Sequence, residues 1–275
     1  MGGFYHEDDS DSSLDIILSS SMDRGLAYAE ACFETFRVIN GEIFSWPDHV
    51  ARLQRGLAEF GISLSNEEID LLHEVCLDAA AKYGSDAMLR LTVSGGEAGW
   101  GLLASKRVPK AHVQAMAYHR NTDPLCLALK SWPFPPKMRL AKFTADYSDT
   151  LRALKGCADV NVLFSCKGRL LGAATANVLI YRQNQWYTSV IEPGVLPGIV
   201  RAHLLKTGLL KEVDCPSSWL EDCEAVALTN CGYFVRQVVA VSGAEIGVLN
   251  YDIAHPAFQS LVESLVNEPG VIVGD

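Results

Sequence analysis

Apolar positions divide the chain into short alternating segments and a few helical stripes. Residues 31–45, "ACFETFRVINGEIFS", place "FRVI" and "EIFS" on either side of Asn40-Gly41. That dipeptide accepts the positive φ angles of a tight hairpin turn. Pro47 then opens a helix with Val50, Leu53, Leu57 and Phe60 on one face. Ser65 and Glu68 form a capping box ahead of the stripe Ile69, Leu72, Cys76 and Ala79, and this second helix is predicted to stop near Gly84. "MLRLTVS" from Met88 and "HVQAMAYH" from His112 read as strands flanking a glycine-rich loop, "GGEAGWG".

From Asn121 to Lys137 the pattern changes, with Pro124, Pro133, Pro135 and Pro136 breaking regular structure. A linker is expected at residues 121–130, between an N-terminal domain (1–120) and a C-terminal domain (131–275). The second part is strand-rich. "DVNVLFS" and "NVLIYRQNQWYTSVI" read as strands with turns at Lys167-Gly168 and Asn184, and a helix follows Gly198. "EAVALTN" and "QVVAVSG" are further strands, and "HPAFQSLVESLV" closes the chain as a helix with Phe258, Leu261, Val262 and Leu265 inward. The expected class is α/β (α+β) in two domains: a small sheet with helices packed on it, then a larger barrel-like domain.

Composition narrows the partners. A chain of 275 residues with 49% hydrophobic and 20% charged residues is an ordinary globular one. A net charge of -10 argues against a nucleic-acid or anionic membrane surface as partner, because such surfaces recruit Lys and Arg. No apolar run reaches the length of a membrane-spanning helix. "MGGFYHEDDSDSS" lacks the basic and apolar regions of a secretory signal, so residues 1–20 read as a frayed tail. The eight cysteines form no C-x-x-C pair and no zinc-type spacing, so no metal site is expected. Reduced thiols in a cytoplasmic protein are the expectation. Cys215 and Cys223 flank a loop as a conceivable redox pair, although scattered free thiols are the simpler reading.

Three segments carry candidate chemistry. In "EPGVLPGIVRAHLL", Gly198 precedes a helix start whose bare amides at Ile199 and Val200 suit an anion. Taken alone, the segment also reads as an ordinary loop-to-helix joint. Lys142, in the mainly apolar, strand-like "RLAKFTADY", is either a snorkelling lysine or a desolvated amine able to attack carbonyls. Arg52, on the helix after the hairpin, reads in isolation as a solvated arginine.

Together these segments resemble one family. "DRGLAYAEACFETFR" is similar to the D-R-G-x-x-Y-G-D-G-x-F-E-T-x-R motif of fold-type IV pyridoxal-phosphate (PLP) enzymes, with Ala29, Glu30 and Ala31 replacing G-D-G. "HVARL", "GVLPGIVR" and "ALTN" match H-x-x-R-L, G-x-L-P-G-I-T-R and the strand ending L-T-N/S. The family includes branched-chain and D-amino-acid aminotransferases and 4-amino-4-deoxychorismate lyases, and the resemblance runs from about Asp23 to about Gly243. It implies a two-domain fold of the D-amino-acid aminotransferase type, a cofactor between the domains and a homodimer. Arg52, Gly198, Ile199, Val200, Thr229 and Asn230 are implied to hold the phosphate. Lys142 is the implied Schiff-base lysine, which moves protons between the substrate α-carbon and the cofactor. The implied function is an aminotransferase or an aminodeoxychorismate-lyase-like reaction on a small amino-bearing molecule.

The sequence departs from that pattern at several positions. Gly172 stands where the family has the glutamate that pairs with the pyridine nitrogen. This favours the alternative of a divergent PLP-binding or non-catalytic descendant with weak or no activity. Ala145 and Asp146 replace Asn and Tyr after the lysine, and Gly95 and Trp100 replace loop arginines of the lyases. Losing those arginines leaves room for a more apolar ligand. Arg236 is either a replacement carboxylate ligand or a solvated strand arginine. His49 is expected to have only a structural role, bonded to a neighbouring backbone group.

Overall fold

The computed structural model describes residues 21–103, 108–119, 121–135, 141–191 and 194–266. The expected frayed tail and Pro136 lie outside them. The N-terminal part builds β1 (Met22–Asp23), α1 (Arg24–Tyr28), β2 (Ala31–Ile39), β3 (Glu42–Ile43), α2 (Trp46–Glu59), α3 (Asn66–Ala81), β4 (Ala87–Ser94), β5 (Glu97–Ala98) and β6 (Lys110–Ala117). β2, β3, β4 and β6 form an antiparallel sheet in the order β3-β2-β4-β6, and β1 pairs with β5. The hairpin turn has φ of 51° at Asn40 and 82° at Gly41, as the dipeptide demands. Ser65 accepts from the Glu68 amide while Glu68 accepts from the Ser65 amide, completing the capping box of α3. Phe36, Leu53, Leu57, Cys76, Leu89 and Leu91 fill the space between this sheet and α2–α3.

β2 is buried along nearly its whole length, so its two faces do different work. Phe33 and Thr35 line a cavity, while Phe36 packs with the α2–α3 core.

The C-terminal part contains β7 (Leu125–Ser131), α4 (Ser148–Leu154), β8 (Val162–Cys166), β9 (Arg169–Ala173), β10 (Asn177–Arg182), β11 (Gln185–Ser189), α5 (Ile199–Lys206), β12 (Leu210–Val213), β13 (Ala225–Asn230), β14 (Phe234–Gly243), β15 (Gly247–Asn250) and α6 (Pro256–Val266). Its nine strands form one mixed sheet, β12-β11-β10-β13-β14-β7-β8-β9, with β15 paired to β14. A bridge between Ala173 and Ala176 returns the end of β9 to the start of β10, so the sheet curls into a barrel-like shape. Leu127, Leu163, Leu170, Val226, Val238 and Val241 lie in one of its cores. A second core, with Leu179, Leu204 and Leu261, takes in Ile39 and Phe44 and so joins the two parts.

Two expectations change here. Residues 121–130, expected as linker, contain most of β7, which runs parallel to both β14 and β8. Leu125 and Leu127 are buried while Cys126 and Ala128 are exposed. Pro124 and Pro133 bracket that alternation rather than interrupt it. Lys142 sits not in a strand-like run but in a single 3-10 turn, Ala141–Phe143. The chain then bends through Ala145 at φ 50°, a left-handed conformation that Asn tolerates better than Ala. Among the described residues no helix is long and apolar enough to cross a membrane.

Candidate active site

The two parts meet at a cavity of about 340 Å³. β2 and β4 supply one wall. Thr35 and Arg90 are direct partners across that antiparallel pair, so they share a face. The 3-10 turn brings Lys142 to the same face, where its Nζ donates to Thr35 Oγ1 at 3.4 Å and lies 4.4 Å from the Phe33 ring centre. Arg90 stacks on Phe33 from 3.9 Å. Burial pulls the Lys142 ammonium down to about 8. Glu34 opposes that shift, and the neighbouring Arg52 and Arg90 charges add to it. An amine held there is partly unprotonated near neutral pH, which a carbonyl-attacking lysine requires.

The cavity is also lined by the start of α5. α5 starts at Gly198 with no side-chain cap, so its first-turn amides point out of the helix unpaired. Gly198 is there for close approach: a Cβ would stand 2.2 Å from Asn177 Oδ1. Asn177 in turn donates to Leu196 O at 2.8 Å and pairs in register with Thr229. Thr229 is 1% exposed and its Oγ1 has no hydrogen-bond partner. A buried hydroxyl without a partner is costly unless a ligand or water satisfies it. Arg201, the arginine of the same motif, is directed elsewhere: it donates to Ser189 O and pairs with Glu212, fixing α5 to the sheet.

Arg52, Glu34 and His49 connect the walls. Arg52 is 2% exposed and grips Glu34 through Nε at 2.7 Å and through Nη2, while Nη1 donates to Pro197 O at 2.8 Å. One arginine thus ties α2 to the loop that delivers Gly198, and two of its five N–H groups remain for a ligand. Burial works to raise the Glu34 carboxyl, but hydrogen bonds from Arg52 and His49 and the Arg52 charge hold it down to about 2. His49 is fully buried, and its bonds run to side chains rather than to the backbone expected. Its Nδ1 lies 2.7 Å from Glu34 Oε2 and its Nε2 lies 3.5 Å from Cys231 Sγ.

The structure thus brings Lys142, Arg52, Gly198, Ile199, Val200, Thr229 and Asn230 to one cavity. Asn230 contributes differently from the others. Its Oδ1 accepts from Gly232 and Tyr233 and its amide donates to Thr175 O, so its side chain builds the turn after β13. Arg236 lies outside the lining, bonded to Asp123 O and Asn121. Cys215 and Cys223 are both free thiols. The sequence reading missed Arg90, which there looked like an ordinary polar alternate between Leu89 and Leu91. Arg90 lines the cavity, and among the described residues it pairs with no carboxylate.

Known proteins share this fold. The model of the amino-transferase class IV family matches residues 31–241. A D-alanine aminotransferase of Bacillus licheniformis is 25% identical over 251 residues, covering 82% of this chain and 83% of that protein. The 4-amino-4-deoxychorismate lyase of Pseudomonas aeruginosa has the same fold, with a TM-score of 0.73 at 20% identity, over 94% of this chain and 97% of that one. So does the branched-chain amino acid aminotransferase of Escherichia coli, with a TM-score of 0.73 at 19% identity, over 87% and 85%. The family match begins at the first residue of β2 and ends within β14, spanning both walls of the cavity, and the chain belongs to the class IV aminotransferase family.

Proposed function

We propose that this cavity binds pyridoxal phosphate and that the protein acts on a small amino-bearing carboxylate, either transferring the amino group or eliminating across it. The observation that carries the reading is the pairing of Lys142 with an uncapped helix start and the orphaned Thr229 hydroxyl across one cavity. When bound, the cofactor supplies an electron sink for charge developing at the substrate α-carbon. The chain's own residues supply the rest. Ile199 and Val200 offer amides, Thr229 its hydroxyl and Arg52 its free N–H groups to the phosphate. Lys142 would hold the cofactor through its amine, and its Nζ would hold and move a proton. Arg90, stacked on Phe33, receives the substrate carboxylate in place of the missing loop arginines.

The fit fails at the ring nitrogen. Gly172 has φ +151°, and a Cβ there would lie 3.0 Å from Ala176 O. The backbone itself is shaped for glycine at this point. Gly172→Glu is therefore expected to lower stability by about 1–3 kcal/mol in urea unfolding, rather than supply an acid to a pyridine nitrogen. This favours reactions that demand less of the sink, and it supports a second reading of a PLP-binding protein with weak activity.

Trp100, Leu103 and Leu26 are strongly exposed. Tyr28 Oη accepts from the Gly101 amide, and Arg24 donates to Leu102 O. These contacts bring α1 and the 100–103 segment together, and their exposed apolar side chains suit contact with a second copy of the chain.

The test is borohydride reduction of the protein with PLP, followed by peptide mass mapping. The expected result is a visible absorbance band that bleaches, with a pyridoxyl mass on Lys142. A protein that takes up no PLP, or carries the label on another lysine, rejects the proposal.

A further inference from the structure

Eight cysteines are spread through the chain, and one has an environment unlike the rest. Cys231 follows β13, is half-buried and lines the cavity. Its Sγ lies 3.5 Å from His49 Nε2, and the other ring nitrogen of His49 lies 2.7 Å from Glu34 Oε2. His49 is 0% exposed and Glu34 is 1% exposed. The imidazole is also held edge-on against Phe36, with ring centres 4.7 Å apart. A thiol, an imidazole and an orienting carboxylate therefore stand in line, drawn from three separate elements. This is the order in which a nucleophile, its base and the base's positioning group are arranged for attack on carbon.

We propose that Cys231 is a nucleophilic thiol that adds to small α,β-unsaturated carbonyl compounds entering the cavity, with His49 as its acid–base partner and Glu34 as the group that orients His49. Sγ forms a bond to the β-carbon, and the electron pair of the double bond moves toward the carbonyl. The proton on His49 Nε2 passes to the α-carbon. The product is a thioether, with no leaving group and no change in total oxidation level.

The charges around the thiol agree with this chemistry. His49 and Arg52 come from α2, Glu34 from β2 and Lys142 from the 3-10 turn. Burial pushes the Cys231 thiol up, but the His49 charge and hydrogen bond, with Arg52 and Lys142 behind them, outweigh it and hold the thiol below its ordinary value. His49 is correspondingly held above its own: burial lowers it, and Cys231 and Glu34 more than reverse that. Three other cysteines go the other way. Burial raises Cys76 and Cys223 to about 12 and Cys215 to about 11. Reactive cysteines occur where cations favour the thiolate, and inert ones where burial dominates.

The experiment is alkylation by acrylamide, read residue by residue by mass mapping. The protein is labelled as purified and after hydroxylamine dialysis, so that a carbonyl ligand in the cavity does not mask the thiol. Cys231 is expected to react about tenfold faster than exposed Cys126 at pH 6.5, and this ratio is expected to widen as pH falls. His49→Gln is expected to slow Cys231 about tenfold and leave Cys126 unchanged. If that variant does not fold, the pH profile of the unaltered protein decides. The proposal is overturned if Cys231 reacts no faster than Cys126 in both preparations, or if its rate follows pH in parallel with Cys126. Labelling is read without added cofactor, so failure of the PLP reading leaves this outcome intact.

Discussion

Lys142→Ala is expected to abolish the borohydride-trapped cofactor adduct and to lower turnover by at least about a thousandfold, without lowering the melting temperature. The two effects have one cause. The amine lies in a cavity where burial disfavours its charge and holds it to about 8 against an ordinary 10.5. The folded state therefore binds this proton less readily than the unfolded chain. The resulting penalty is fully present below about pH 8 and is relieved as pH rises toward 10.5. Removing the amine removes the penalty together with the proposed attachment point. Uptake of PLP by the unaltered protein is expected to rise through about pH 8 as the free amine forms. Adduct mapping and thermal unfolding on one sample check both halves. A variant that retains a trapped adduct, or that melts several degrees lower, contradicts this account of Lys142.

Glu34→Ala is expected to have the largest effect on stability, a loss of about 3–5 kcal/mol in urea unfolding. Glu34 is the sole carboxylate described on both Arg52 and His49, and all three are buried. Removing it leaves a buried guanidinium and a buried imidazole without their shared carboxylate. Glu34→Gln keeps the shape and part of the hydrogen bonding, so its loss is smaller. The pH dependence has a definite sign. A carboxyl held to about 2 against an ordinary 4.5 contributes stability that is present above pH 4.5 and is lost as pH falls through about 2. The acid limb of the stability profile therefore flattens in Glu34→Ala. If the variant unfolds at the same urea concentration as the parent, Glu34 does not brace this wall of the cavity.

Local signals were strong where a single residue type decides the backbone. Asn40-Gly41, Pro47, Ser65 with Glu68 and Gly198 all act where the sequence placed them, because turns and caps depend on neighbours a few residues away. The linker reading failed because the prolines at 124 and 133 look the same whether they interrupt a strand or flank one. Only pairing with β14 and β8, more than 30 residues downstream, makes β7 a strand. Lys142 was legible as a candidate by motif, but its 3-10 turn was not, since three residues carry no periodicity.

The family was legible in the chain alone, because it rests on contiguous motifs, and so was the glycine that opens α5. Only the tertiary structure decided how the charges are used. Arg52 read as a solvated helix arginine and is instead bound to Glu34, 18 positions away. His49 meets Cys231 across 182 positions. Arg90 became a cavity cation through its register with Thr35. The loss of an acid at 172 was visible in the chain, but its cause, a backbone angle that favours glycine, was not. Pairings between distant buried groups depend on which surfaces the fold brings together, and no local pattern encodes that choice.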